Sequence, residues 1–80
     1  MSNKPDIAFE IWPPDPQRKE WQIIVDRHVL GKYRSQLDAI EYAKAVAREA
    51  WEESDLRTVV FSCRANGRRR RIAAFGNPAL

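Results

Sequence analysis

The chain has 80 residues, 44% of them apolar and 31% charged, with 14 basic and 11 acidic side chains giving a formal net charge of +3. At this length one small core is all that can be built, which excludes most enzyme architectures, and the composition excludes both a fibrous repeat and wholesale disorder. A single cysteine, Cys63, and a single histidine, His28, exclude an internal disulfide and a zinc-type ligand cluster, so the chain is read as having no cofactor and no metal.

Ile7, Phe9 and Ile11 alternate with Ala8, Glu10 and Trp12, the period-2 pattern of a half-buried strand, and Pro13, Pro14 and Pro16 end it. Residues 21–29, rich in β-branched and aromatic side chains, predict a second strand, with Trp21, Ile23 and Val25 on one face. Gly31 predicts a bend, and residues 32–34 a short additional strand.

Ser35 and Asp38 have the spacing of a capping box, so the helix is expected to start there. Ala39, Ile40, Ala43, Val46, Ala47, Ala50 and Trp51 recur at three- and four-residue steps, which predicts an amphipathic helix of about 17 residues. Its stripe is mostly alanine, so it should lie close on a sheet, with Leu37, Ile40, Val46 and Trp51 as the larger anchors. Glu52, Glu53 and Asp55 fall at its C-terminal end, where the macrodipole disfavours acids, and the arginine-rich segment that follows is the expected internal compensation.

Residues 58–64 and 69–75 flank Asn66-Gly67, a strong hairpin signal. A two-residue loop at Asn66-Gly67 pairs Arg64 with Arg69, Cys63 with Arg70, Ser62 with Arg71, Phe61 with Ile72, Val60 with Ala73 and Val59 with Ala74. One face then carries Val59, Phe61, Cys63, Ile72 and Ala74, the expected partner of the helix, with Arg70 at its margin. The other carries Ser62, Arg64, Arg69 and Arg71 with Val60 and Ala73, and with Ile24 of the second strand it forms the open face of the sheet.

Taken in order, Phe9 to Pro13, Trp21 to Val25, Ala39-Ile40-Glu41-Tyr42-Ala43, Asn66-Gly67 and Phe75-Gly76-Asn77-Pro78 resemble the small bacterial domains grouped as domain of unknown function 2188. The likeness covers about residues 9 to 78. The chain departs from that pattern in a longer helix end containing Trp51 and in an unbroken arginine run. The resemblance implies an architecture and no functional residues.

The expected fold is α+β: an antiparallel sheet of four to five strands in the order β-β-(β)-α-β-β, with one amphipathic helix packed on one face. Residues 1–80 are read as a single domain with loose termini at 1–6 and 76–80. The start of the chain lacks the basic-then-apolar order of a secretory signal, and no apolar run reaches the roughly 18 residues of a membrane span, so a cytoplasmic protein without a membrane partner is expected.

Charge is unevenly spread. Residues 35–55 hold two bases and six acids, whereas residues 56–80 hold six bases and no acid. Guanidinium groups pair with phosphates in forked geometry, so Arg64, Arg69 and Arg71, with support from Arg68 and Arg34, are the candidate contacts for nucleic acid or an acidic protein. Trp12, beside Pro13-Pro14 on the minority face of its strand, is a candidate surface anchor. Trp21 and Trp51 are assigned to the core. No nucleophile or second base accompanies His28, and Cys63 reads as a small buried hydrophobe, so no catalytic residue is expected. The function expected is non-enzymatic: a binding module for nucleic acid through the arginine-rich hairpin, or alternatively a regulatory or assembly protein docking on another protein, or on itself as a homodimer, through the open sheet face.

Overall fold

The computed structural model describes residues 5–76. Five strands, β1 (Ile7–Trp12), β2 (Trp21–Val25), β3 (His28–Tyr33), β4 (Thr58–Cys63) and β5 (Arg69–Phe75), form one sheet against a single helix, α1 (Gln36–Ser54). In space the strands lie in the order β3-β2-β1-β4-β5. Neighbouring strands are antiparallel except β1 and β4, which are parallel. The sheet is therefore mixed, not antiparallel throughout. Alternation in the sequence identifies strands but not their partners: β1, β2 and β3 form a meander that leaves one edge of β1 unpaired, and after the helix β4 pairs with that edge in the same direction as β1. The junction is locked at its start, where Asp6 and Ile7 N–H groups donate to the Arg57 carbonyl at 2.8 and 3.1 Å and the Asp6 carboxylate accepts from the Arg57 N–H at 2.8 Å.

The strand expected over residues 21–29 is broken by a two-residue turn. Asp26 and Arg27 both have positive φ, 49° and 68°, as the favoured hairpin turn demands of its two central residues. Asp26 suits the first of these positions, but Arg27 stands where Gly usually completes the signal, so the sequence conceals the turn. Gly31 lies inside β3, under the Tyr33 side chain, where a Cβ would meet the phenol oxygen at 2.7 Å.

The helix begins as expected, with Ser35 Oγ accepting from the Asp38 N–H at 3.1 Å. It ends in a left-handed cap at Asp55, φ 56°, with the Asp55 and Leu56 N–H groups donating to the Trp51 and Ala50 carbonyls. Ala39, Ala43 and Ala47 are fully buried against Phe9, Ile11, Ile23 and Val60, with Ile40 and Val46 packed at the margins. Small side chains permit this close approach. Leu37 is not an anchor: it is 62% exposed.

Helix and β4 run in opposite directions. Thr58 Oγ1 donates to the Ala47 carbonyl at 2.9 Å, and four residues on, Gln36 Nε2 donates to Ser62 Oγ at 3.5 Å. These contacts place Thr58, Val60 and Ser62 on the helix side, and alternation places Val59, Phe61 and Cys63 on the other, inverting the expected faces of β4. Val60 is fully buried and Ala73 packs against the helix-side core, so neither belongs to the open face.

The hairpin register also differs from expectation near its tip. Val59 pairs with Ala74 and Val60 with Ala73 as expected, but Phe61 pairs with Arg71, Ser62 with Arg70 and Cys63 with Arg69. The turn is a three-residue loop: the Arg64 N–H donates to the Arg68 carbonyl at 2.8 Å, the Gly67 N–H to the Arg64 carbonyl at 2.9 Å, and Gly67 alone takes the left-handed conformation, φ 88°. Asn66 Oδ1 accepts from the Arg68 N–H at 3.0 Å, which secures this form of the turn. The offset so introduced is undone at Ile72, the extra residue of a bulge. Because register and face of β4 shift together, Arg69 and Arg71 still lie on the helix-free side, and Arg70 still lies opposite them.

Candidate functional site

Ser62 and the hairpin tip stand beside the first turn of α1, and the segment after β1 closes on the same place. The cleft between them, about 670 Å³, is lined by Pro13, Trp21, Gln36 and Ser62 together with Arg64, Arg68, Arg69 and Arg70, and no acidic residue is among the described residues that line it. Four neighbouring arginine positions reach one cleft because the wide turn separates Arg64 and Arg68 from the ladder, while Arg70 pairs with Ser62 on the helix side.

The four guanidinium groups are not equivalent. Arg69 Nη1 donates to Glu10 Oε2 at 3.2 Å, and the same guanidinium lies 4.4 Å above the Phe61 ring. Trp12 Nε1 donates to the other Glu10 oxygen at 3.5 Å. Trp12, Glu10, Arg69 and Phe61 thus form a continuous layer of side chains across the helix-free face. Val59 and Cys63 on that face are each only 3% exposed, although no helix among the described residues covers it. Burial, with Glu10 adding to it and Arg69 opposing, pushes the Cys63 thiol up from its ordinary 9.0 to about 11, so the group is an inert hydrophobe.

Arg64, Arg68 and Arg70 are exposed and have no ion-pair partner among the described residues. The acidic end of the helix does not neutralise them. Gln36, at the helix start, touches the cleft, whereas Glu52 lies 16 residues further along, about 24 Å at the helical rise. That is well beyond the Debye length of about 8 Å at physiological ionic strength. Glu52 is instead within 3.8 Å of Arg48 on its own helix. The expected internal compensation of the acidic helix end by the hairpin is therefore not what Arg64, Arg68 and Arg70 provide.

Of the candidate contacts, Arg64, Arg68 and Arg69 meet at the cleft. Arg71 lies on the helix-free face opposite Phe61, and Arg34 is exposed between β3 and the helix cap, so neither lines the cleft. Trp12 lines a smaller neighbouring cleft of about 280 Å³ with Pro13, Pro14, Asp15, Arg18 and Ala65. Arg70 was expected to point away from the patch, and Trp21 to belong wholly to the core. Trp21 does pack against the core but is half-buried, with part of its surface in the cleft. Gln36 and Ser62 carried no sequence signal beyond their places next to the helix cap and near the hairpin turn.

His28 is exposed at the start of β3, and among the described residues no group of three or more His, Cys, Asp or Glu side chains is placed to hold a metal ion. No described helix is long and apolar enough to cross a membrane. No family model, curated protein or solved structure matches the chain.

Proposed function

We propose that this chain is a small cytoplasmic, non-enzymatic binding module that takes the phosphate backbone of nucleic acid in the cleft between the hairpin tip and the first turn of the helix. The observation that carries this reading is the convergence of Arg64, Arg68 and Arg70, all without ion-pair partners among the described residues, on a concave site lined by no acid. Three guanidinium groups with unused forked donors match phosphate oxygens. Arg69 contributes less, because Glu10 and Phe61 already hold it. Fluorescence anisotropy with labelled mixed-sequence DNA and RNA at low salt tests the reading. Arg64→Ala/Arg68→Ala/Arg70→Ala should weaken binding sharply at low salt with the fold intact by circular dichroism, and failure of the wild-type protein to bind either polymer would end the proposal.

A second reading, docking on a protein or on a second copy, is favoured by the edge strand β3, where Val29 and Leu30 are 49% and 43% exposed. It calls for a concentration-dependent mass in sedimentation equilibrium that Val29→Lys removes. A strict monomer at all concentrations would count against the self-association form of this reading.

A further inference from the structure

We infer that the cleft is selective for single-stranded nucleic acid, with an unpaired base stacked against Trp21 while the hairpin arginines hold the flanking phosphates. This deepens the phosphate-binding reading above and rests on it. The cleft has two chemically different linings. Arg64, Arg68 and Arg70 supply positive charge, whereas Trp21 and Pro13 supply an apolar surface, and Pro13 has no backbone N–H to offer. Its volume of about 670 Å³ falls within the range of small-ligand sites and exceeds what phosphate groups alone would fill.

Trp21 suits a stacking role. Packing against the core fixes its position, yet it remains half-buried in the cleft lining, and its ring makes no aromatic or cation–π contact with another described residue. A preorganised indole loses little freedom when a base covers it, and every base has a π-face, so such a site tolerates sequence. Beside it, Gln36 Nε2 and Ser62 Oγ meet only at 3.5 Å, the outer limit of a hydrogen bond, which leaves both groups able to exchange that contact for a base edge.

A duplex fits this arrangement poorly. Its bases are already stacked on one another and present no free face to Trp21. Charge alone works in the opposite direction, because duplex DNA releases more counterions per neutralised phosphate than a single strand, with slopes of about −0.9 against −0.7. A preference for single strands must therefore come from the base.

The test uses the full-length protein and eight-nucleotide single strands of DNA and of RNA, each compared with its own duplex at one salt concentration. Single strands should bind about tenfold more tightly than the duplexes, and the two sugar types, run in parallel, show which polymer is preferred. In ¹H–¹⁵N spectra the Trp21 indole N–H should shift on titration more than those of Trp12 and Trp51. Trp21→Phe should keep the preference and Trp21→Leu should bring single strands down to duplex affinity. If Trp21→Leu does not fold, the wild-type spectra still decide. Equal affinity for both forms, or a Trp21 resonance that stays still while hairpin amides shift, would overturn the inference and leave phosphate binding standing. No binding to any of the four polymers would remove both readings.

Discussion

Thr58 offers a direct measure of what holds the helix on the sheet. It is fully buried, and its hydroxyl donates to the Ala47 carbonyl at 2.9 Å, tying the fourth turn of the helix to the strand paired with β1. Thr58→Val keeps the volume and removes the donor. Ala47 is mid-helix, so its carbonyl also accepts from its own helix, and the loss should be the net value of one hydrogen bond, about 1 kcal/mol. Valine's greater fit to a strand makes that an upper figure. Thr58→Ser keeps the hydroxyl and deletes a methyl, about 1 kcal/mol by the cavity left behind. Thr58→Ala loses both, about 2 kcal/mol, or a fall in Tm of roughly 8–16 °C for a domain of this size. Urea denaturation followed by far-ultraviolet circular dichroism should show the three midpoints displaced at constant slope. A Thr58→Val protein as stable as wild type, alongside a Thr58→Ala protein no worse than Thr58→Ser, would mean that the hydroxyl contributes nothing and that packing alone seats the helix.

The turn at Asp26 and Arg27 holds two non-glycine residues at positive φ. Asp26→Asn with Arg27→Gly should raise stability by about 0.5–1 kcal/mol, since relief of left-handed strain exceeds the added chain entropy; a lower urea midpoint would show that these side chains make contacts worth more than the strain. Cys63 should resist alkylation in the native state at pH 8 and react only on unfolding. Its folded pKa of about 11 lies above its ordinary 9.0, so the stability it confers is complete below pH 9 and declines as pH rises toward 11. In a Cys63→Ala protein that decline should be smaller in urea titrations at pH 8, 9 and 10, and an identical decline would assign it to other groups.

The helix was legible almost to the residue because its signals are local: a serine cap, a stripe of small apolar residues, and acids ahead of a break. The first strand was legible for the same reason. The partner of β4 was not, because the pairing of β1 with β4 is set by which sheet edge remains unpaired when the helix ends, and no short-range pattern encodes it. Asp26-Arg27 hid a turn because Arg27 takes the place where Gly would have announced it. In the arginine hairpin the place of the turn was legible but not its length: Asn66-Gly67 serves two loop lengths, and the three-residue form changes the cross-strand partner of every residue near the tip. The site was therefore half visible: Arg64, Arg68 and Arg69 stood out by type, while Arg70 joined them only through the observed register. Trp21 was hidden because a strand aromatic on the apolar face looks the same whether its exposed part meets solvent or a cleft.

Phosphate binding in the cleft depends on three guanidinium groups free of ion pairs within the described structure. The salt dependence of single-strand binding measures them most directly, since each neutralised phosphate contributes about −0.7 to the slope of log K against log salt. Arg64, Arg68 and Arg70 together should contribute about −2, which Arg64→Ala/Arg68→Ala/Arg70→Ala should remove, while Arg69→Ala, whose guanidinium is already paired with Glu10, should change the slope by less than about 0.5. A folded triple variant that keeps the wild-type slope, or an Arg69→Ala protein that loses most of it, would contradict the assignment.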